Sequence, residues 1–83
     1  MAGAVRTEAY QNFLAALVDL RKAKGLSQAD LANLLGKPAS FVGKCELGER
    51  RLDVVETFVI LNALGEEPAG FLEGCLGKAA RTL

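Results

Sequence analysis

The 83-residue chain contains no histidine and no tryptophan, and it has two cysteines, two prolines and one tyrosine. Without histidine, and without a closely spaced cysteine pair, it lacks the ligand pattern of zinc and other transition-metal sites. It also lacks a phosphate-cradling glycine loop and the histidine most often used in acid–base catalysis. We therefore expect no metal site, no cofactor and no enzymatic activity.

Long apolar runs are also missing. No segment approaches the ~20 apolar residues that cross a bilayer, and the opening MAGAVR lacks the apolar stretch of a signal peptide. We expect a cytoplasmic protein without a membrane partner. Apolar residues nevertheless make up 51% of the chain and mean hydropathy is +0.22, which is high for a small soluble monomer. Some of this apolar surface is expected to lie between subunits.

The formal net charge is zero, but the charges are unevenly distributed. Residues 21–51 contain seven basic and three acidic side chains, whereas residues 52–76 contain five acidic side chains and no basic one. A domain polarised in this way can present a positive face to phosphate. Ordinary solvated surface charge is the alternative explanation.

The segment RKAKGLSQADLANLLGKPASFVGKCELGERR, residues 21–51, predicts two short helices joined by a tight turn. Ser27 followed by Asp30 is a helix-start pattern, because the hydroxyl and the carboxylate can satisfy free N–H groups of the first turn. Apolar residues at helical spacing follow, and Gly36 suits the left-handed residue just past a helix end.

The second helix of this segment is expected to open at Pro38, a residue tolerated at the start of a helix, and to run to Gly48. So little chain separates the two helices that they must cross at a steep angle. This is the outline of a DNA-reading helix-turn-helix.

Cap residues and apolar spacing predict three flanking helices: Thr7 to Gly25, Asp53 to Gly65, and about Pro68 to Leu76. We therefore expect an all-α protein, with one domain over residues 1–83. It would be a compact bundle of about five helices around a central motif at about residues 27–46. Helices within residues 53–76 would form the scaffold and the dimer interface.

The helix predicted after Asp53 is apolar around most of its circumference, which is unusual for a surface helix of an isolated domain. One side is expected to pack on the core and the other on a second subunit or on the following helix. The candidates for the dimer interface are Val55, Val59, Ile60, Phe71, Leu72, Cys75 and Leu76.

An ordered set of residues extends the argument beyond the general motif. It comprises Gly25-Leu26-Ser27-Gln28, Leu31-Ala32, Gly36, the run from Ser40 through Val42 and Lys44 to Glu46, Gly48, and Arg50-Arg51. This set resembles the XRE-type helix-turn-helix of the Cro/cI class of phage repressors, over roughly residues 13–72. The resemblance implies a lambda-repressor-like DNA-binding domain.

The resemblance also implies a function: a sequence-specific transcriptional regulator, expected to be a repressor. As a homodimer it would bind a pseudo-palindromic operator in double-stranded DNA through the major groove. The alternative is a protein-interaction module, such as an antitoxin, whose apolar C-terminal helices bind another protein.

Four positions correspond to those that face base edges in this family: Ala39, Ser40, Gly43 and Lys44. Lys44 can donate to guanine O6 or N7, or equally to a phosphate. Gly43 replaces a residue that is commonly polar; it either permits close approach to DNA or is simply tolerated. Pro38 replaces the usual hydroxyl cap of this helix.

The resemblance places five residues near DNA phosphates: Gln28, Lys37, Phe41, Arg50 and Arg51. Four of them have a structural alternative. Gln28 suits an exposed helix start, Phe41 can belong partly to the core, and the arginines can belong to a solvated loop.

Arg21 and Glu46 occupy two positions that pair in this family, and we expect them to form a buried or half-buried bridge. Cys45 and Cys75 are both expected to face inward. We interpret them as small buried hydrophobes rather than as a redox switch.

Overall fold

The computed structural model describes residues 7–77 and 81. These residues form five helices and no strand: α1 Glu8–Ala23, α2 Gln28–Leu35, α3 Ala39–Leu47, α4 Val54–Ala63 and α5 Pro68–Cys75. The expected all-α class and the helix count are confirmed. Within the same ranges, no helix is long and apolar enough to span a bilayer. The other residues of the expected 1–83 domain lie outside the described ones.

Reciprocal caps begin two of the helices. The Ser27 hydroxyl accepts from the Asp30 N–H at 3.0 Å, and the Ser27 N–H donates to the Asp30 carboxylate at 2.9 Å. These hydrogen bonds lower the pKa of Asp30. At the start of α4, Asp53 and Glu56 make the same pair of bonds. Helix α3 instead follows Pro38 and has no side-chain cap, so it depends more on packing.

The turn between α2 and α3 depends on Gly36, whose φ of 70° is left-handed. This conformation lets the next N–H, that of Lys37, donate to the Ala32 carbonyl at 2.9 Å. A side chain at Gly36 would strain the backbone even though the surrounding space is open. Helix α3 can therefore start soon after the end of α2.

The core lies where α1, α2, α3 and α4 meet. Helix α3 packs against α1 and α2, α4 packs against α2, and α5 contacts both α1 and α4. The buried apolar residues are Phe13, Leu14, Leu17, Leu31, Ala32, Val42, Cys45, Leu52, Ile60, Leu61 and Leu64. Because Val42 and Cys45 point into this core, the opposite side of α3 faces solvent.

One of the predicted interface residues on helix α4, Ile60, is buried, so that part of the prediction is wrong. Ile60 is 6% exposed and belongs to the core, so it is not available to a second subunit. Four other residues form an exposed apolar strip along the helix, here called the α4 strip: Val54, Val55, Phe58 and Val59, which are 67%, 66%, 42% and 51% exposed. The sequence alone does not show which side of α4 is buried, because both sides are apolar.

The dimer-interface candidates on α5 are neither fully buried nor fully exposed. Phe71, Leu72, Cys75 and Leu76 are half-buried and pack against the core. Helix α5 is thus the following helix that covers part of α1 and α4. The α4 strip stays exposed beside it.

We expect Leu61→Ala to lower the free energy of unfolding by about 2 to 5 kcal/mol, because the side chain is 0% exposed and its loss leaves a cavity. Leu34→Ala is the matched control, since Leu34 on α2 is 59% exposed. It should change stability by about 0.5 kcal/mol or less. Chemical denaturation of both variants checks this, and equal effects would contradict the described core.

Candidate nucleic-acid interface

One side of α3 is open to solvent and contains all four residues predicted to face bases. Ala39, Ser40, Lys44 and Leu47 are exposed and Gly43 is half-buried, while Val42 and Cys45 are buried on the other side. Residues spaced three or four apart share a helix face. The residues at 39, 40, 43, 44 and 47 therefore form one surface, here called the α3 face.

The α3 face has small side chains at its start and larger ones towards its end. Ala39, Ser40 and Gly43 leave the backbone accessible, whereas Lys44 carries an ammonium group. Leu47 is 68% exposed and was not among the predicted site residues. Its spacing, three residues after Lys44 and seven after Ser40, is the sequence signal that places it there.

An ion pair fixes α3 to α1, because the structure brings Arg21 and Glu46 together. Arg21 Nε donates to Glu46 Oε2 at 2.6 Å, and a terminal guanidinium nitrogen donates to Oε1 at 3.0 Å. The other terminal nitrogen donates to the Leu26 carbonyl at 2.8 Å. The two side chains are only 8% and 14% exposed. Hydrogen bonding to Glu46 raises the pKa of Arg21, so the guanidinium remains charged.

The same carboxylate also contacts the first residue of α2. Gln28 Nε2 donates to Glu46 Oε1 at 2.9 Å. A β-carbon placed at Gly43 would lie 3.5 Å from Gln28 Oε1, an ordinary van der Waals distance. Alanine would fit there, but a longer side chain would compete for the space over the Gln28 amide. Because Gly43 has no side chain, the Gln28 amide stays uncovered where α2 contacts α3.

Phe41 lies half-buried between the core and two cations. Lys37 Nζ is 5.4 Å from the centroid of its ring, and Arg50 Cζ is 4.8 Å from it. Both distances lie within the range of cation–π attraction. Phe41 therefore packs partly in the core. Its ring also contacts two cationic side chains, Lys37 and Arg50, beside the start of α3.

Arg50 makes a second ion pair that the sequence did not predict. Its terminal nitrogens donate to Glu56 Oε1 at 3.1 Å and Oε2 at 2.8 Å. The Arg50 side chain is 43% exposed and that of Glu56 is 28% exposed. Hydrogen bonding to Arg50, aided by the Asp53 N–H, lowers the pKa of Glu56, and the same pairing raises the pKa of Arg50. The Glu56 carboxylate thus has two roles, since it also accepts from the Asp53 N–H at the start of α4.

Arg51 is held on the other side of the same loop. Its Cζ lies 4.4 Å from the centroid of the Tyr10 ring, and the Tyr10 hydroxyl accepts from the Leu52 N–H at 3.0 Å. These contacts tie the segment after α3 to α1.

Both cysteines are free thiols, with Cys45 buried and Cys75 half-buried. Burial raises the pKa of both thiols, which keeps them protonated at neutral pH. Across residues 7–77 and 81, no group of three or more histidine, cysteine or carboxylate side chains is arranged to hold a metal ion.

Two comparisons with known proteins identify similar molecules. A helix-turn-helix family model matches residues 17–71, from within α1 into α5. The solved structure of an XRE-family like protein from Pseudomonas syringae pv. tomato str. DC3000 is similar over 99% of this chain and 100% of that one, with a TM-score of 0.81 and 35% identity. A comparison with curated proteins gave no match.

We expect Glu46→Ala to lower the free energy of unfolding by about 3 kcal/mol, because it leaves the buried Arg21 charge without its partner. Glu49→Ala is the matched control, since Glu49 is exposed and in the part of the chain that the structure describes makes no ion pair. The double variant Arg21→Met/Glu46→Leu should lose less than Glu46→Ala. Denaturation curves of the three variants test this, and an unchanged stability of Glu46→Ala would refute the bridge.

Proposed function

The chain belongs to the XRE-type helix-turn-helix family of DNA-binding regulators, and from this premise we propose that it is a transcriptional repressor. It binds a pseudo-palindromic operator as a homodimer and places α3 in the major groove. The observation that carries this proposal is the α3 face: an accessible surface on a helix that the Arg21–Glu46 bridge holds against the scaffold.

The α3 face supplies the groups that read bases. Ala39 and Gly43 are short enough to let the helix approach base edges closely, and Ala39 can contact a thymine methyl group. Ser40 can donate or accept a hydrogen bond, and the Lys44 ammonium can donate to guanine O6 or N7. Direct contacts to bases are few on this surface. Sequence-dependent DNA shape therefore contributes to recognition.

Contacts to the DNA backbone set the position of α3. The exposed start of α2 offers backbone N–H groups and the amide of Gln28, which suits a phosphate oxygen. Glu46 takes one hydrogen bond from that amide and so orients it. Lys37, exposed just before α3, adds a cation on the neighbouring side.

The α4 strip is the proposed dimer interface. Its four apolar residues lie at positions i, i+1, i+4 and i+5 of one helix, so they form one continuous surface. A two-fold axis pairs such a surface with itself, which makes an apolar strip self-complementary. The paired subunits would present their α3 helices ~34 Å apart, one turn of DNA.

The same exposed strip favours a second candidate function, a protein-interaction module such as an antitoxin. In that case a different protein would cover the α4 strip, and DNA binding would be secondary. The two candidates differ in stoichiometry, since the first requires a symmetric dimer of this chain alone.

Selection of binding sites from a random duplex pool tests DNA reading. We expect the wild-type protein to enrich a two-fold symmetric site at near-physiological salt. Lys44→Ala should relax the preference at one position in each half-site, where a lost bidentate contact costs about 1 to 3 kcal/mol. Lys22→Ala, on α1 outside the α3 face, is the control and should enrich the same site as the wild type. No enrichment by the wild type would overturn the proposal.

Sedimentation of the purified protein tests the dimer. We expect wild type to be a dimer at micromolar concentration and Val55→Glu to be a monomer, because the substitution places a charge in the apolar strip. Leu34→Glu, at another exposed apolar position, should leave the dimer intact. A monomeric wild type would contradict the homodimer and favour the interaction module.

A further inference from the structure

Arg50 is restrained on several sides in the free protein. Two of its nitrogens donate to the two oxygens of Glu56, and one of these nitrogens also lies 3.4 Å from the Arg51 carbonyl oxygen. Its Cζ lies over the Phe41 ring. This group was expected to reach a phosphate on the basis of its place in the chain. In the free protein it is paired with the Glu56 carboxylate.

We infer that Glu56 limits the sequence-independent part of DNA binding, because it holds Arg50 in an ion pair and away from DNA phosphates. Glu56 acts through Arg50 and is therefore a positioning residue. The inference rests on the proposed function, since it concerns the same interface.

The location of the pair supports this role. Phe41 belongs to the first turn of α3, next to Ser40 of the α3 face, and Arg50 lies against its ring. The guanidinium is thus beside the end of α3 that would enter the groove. Arg50 is still 43% exposed, so a phosphate could reach it if Glu56 released it.

The energetics favour retention of the pair. A phosphate that took the two donors facing Glu56 would break two charge-assisted hydrogen bonds to that carboxylate. It would also leave the Glu56 carboxylate unpaired near a phosphate of the same charge. The exchange replaces one anion by another, so it gains little. Lys37, which makes no ion pair among the described residues, remains the phosphate-binding cation on this side of α3.

Sequence-independent affinity follows from the number of phosphates that the protein neutralises. Affinity for unrelated DNA comes almost entirely from such contacts, and each one changes the slope of log K against log salt by about 0.9. A cation withheld from phosphate therefore lowers the affinity for DNA of any sequence, whereas contacts of the α3 face to bases are unaffected.

The test is the salt dependence of binding to a labelled duplex of unrelated sequence, measured by fluorescence anisotropy for wild type, Glu56→Gln and Glu49→Gln. Glutamine at 56 keeps an oxygen for the Asp53 N–H, so α4 keeps its cap. Glu49→Gln is the matched control, because it removes one carboxylate charge from the loop just before α4 but releases no arginine. Both substitutions should raise affinity by reducing repulsion.

The slope separates the two effects. Glu56→Gln should steepen it by about 0.9 more than Glu49→Gln does, which corresponds to an additional affinity gain of up to about eightfold at 0.1 M salt. Lys37→Ala should reduce the wild-type slope. Adding Arg50→Ala to Glu56→Gln should return the slope to that of Glu49→Gln. A structural loosening of the loop would not produce this pattern.

Each remaining outcome contradicts a defined statement. If the wild type binds DNA but Glu56→Gln and Glu49→Gln give the same slope, the inference about Glu56 is wrong and the proposed function stands. If Arg50→Ala/Glu56→Gln keeps the steeper slope of Glu56→Gln, the gain does not come from Arg50 and the inference is again wrong. If the wild type binds no duplex even at low salt, the proposed function and the inference both fail.

Discussion

The Glu46 carboxylate is the group on which the rest of the interface depends. It lies on α3 and accepts two hydrogen bonds from Arg21 of α1 and one from Gln28 at the start of α2. One side chain therefore fixes α3 relative to both neighbouring helices. A buried ion pair is weak evidence for stability because desolvation offsets its attraction. Its contribution here is orientation, since the α3 face and the start of α2 must meet one DNA duplex in one geometry.

The arrangement of charge explains how a chain of zero net charge can suit a nucleic-acid partner. Two acidic residues close to α3, Glu46 and Glu56, are both paired with arginines. Their negative charge is compensated locally, and Lys37 and Lys44 remain available at the surface. The surface field at α3 is thus set more by lysines than by arginines. A count of the basic residues over 21–51 does not show this, because it gives Arg21 and Arg50, which are paired with carboxylates, the same weight as the lysines.

Local signals in the sequence predict most of the fold. Ser27 with Asp30 and Asp53 with Glu56 mark helix starts, because a capping box involves only neighbouring residues. The buried side of α4 could not be assigned from the sequence, since Val55 and Ile60 are equally apolar and only tertiary packing distinguishes them. The Arg50–Glu56 pair escapes prediction for a related reason: the conformation of the intervening loop, not the spacing, brings the two side chains together.

The central claim is that α3, held by Glu46, is the surface that meets DNA. The most direct measurement follows backbone amide resonances of the labelled protein as an operator duplex obtained by selection is added. The account predicts the largest shifts at Gln28, Ser40, Gly43 and Lys44. Shifts confined to the α4 strip, with the α3 face unchanged, would contradict it.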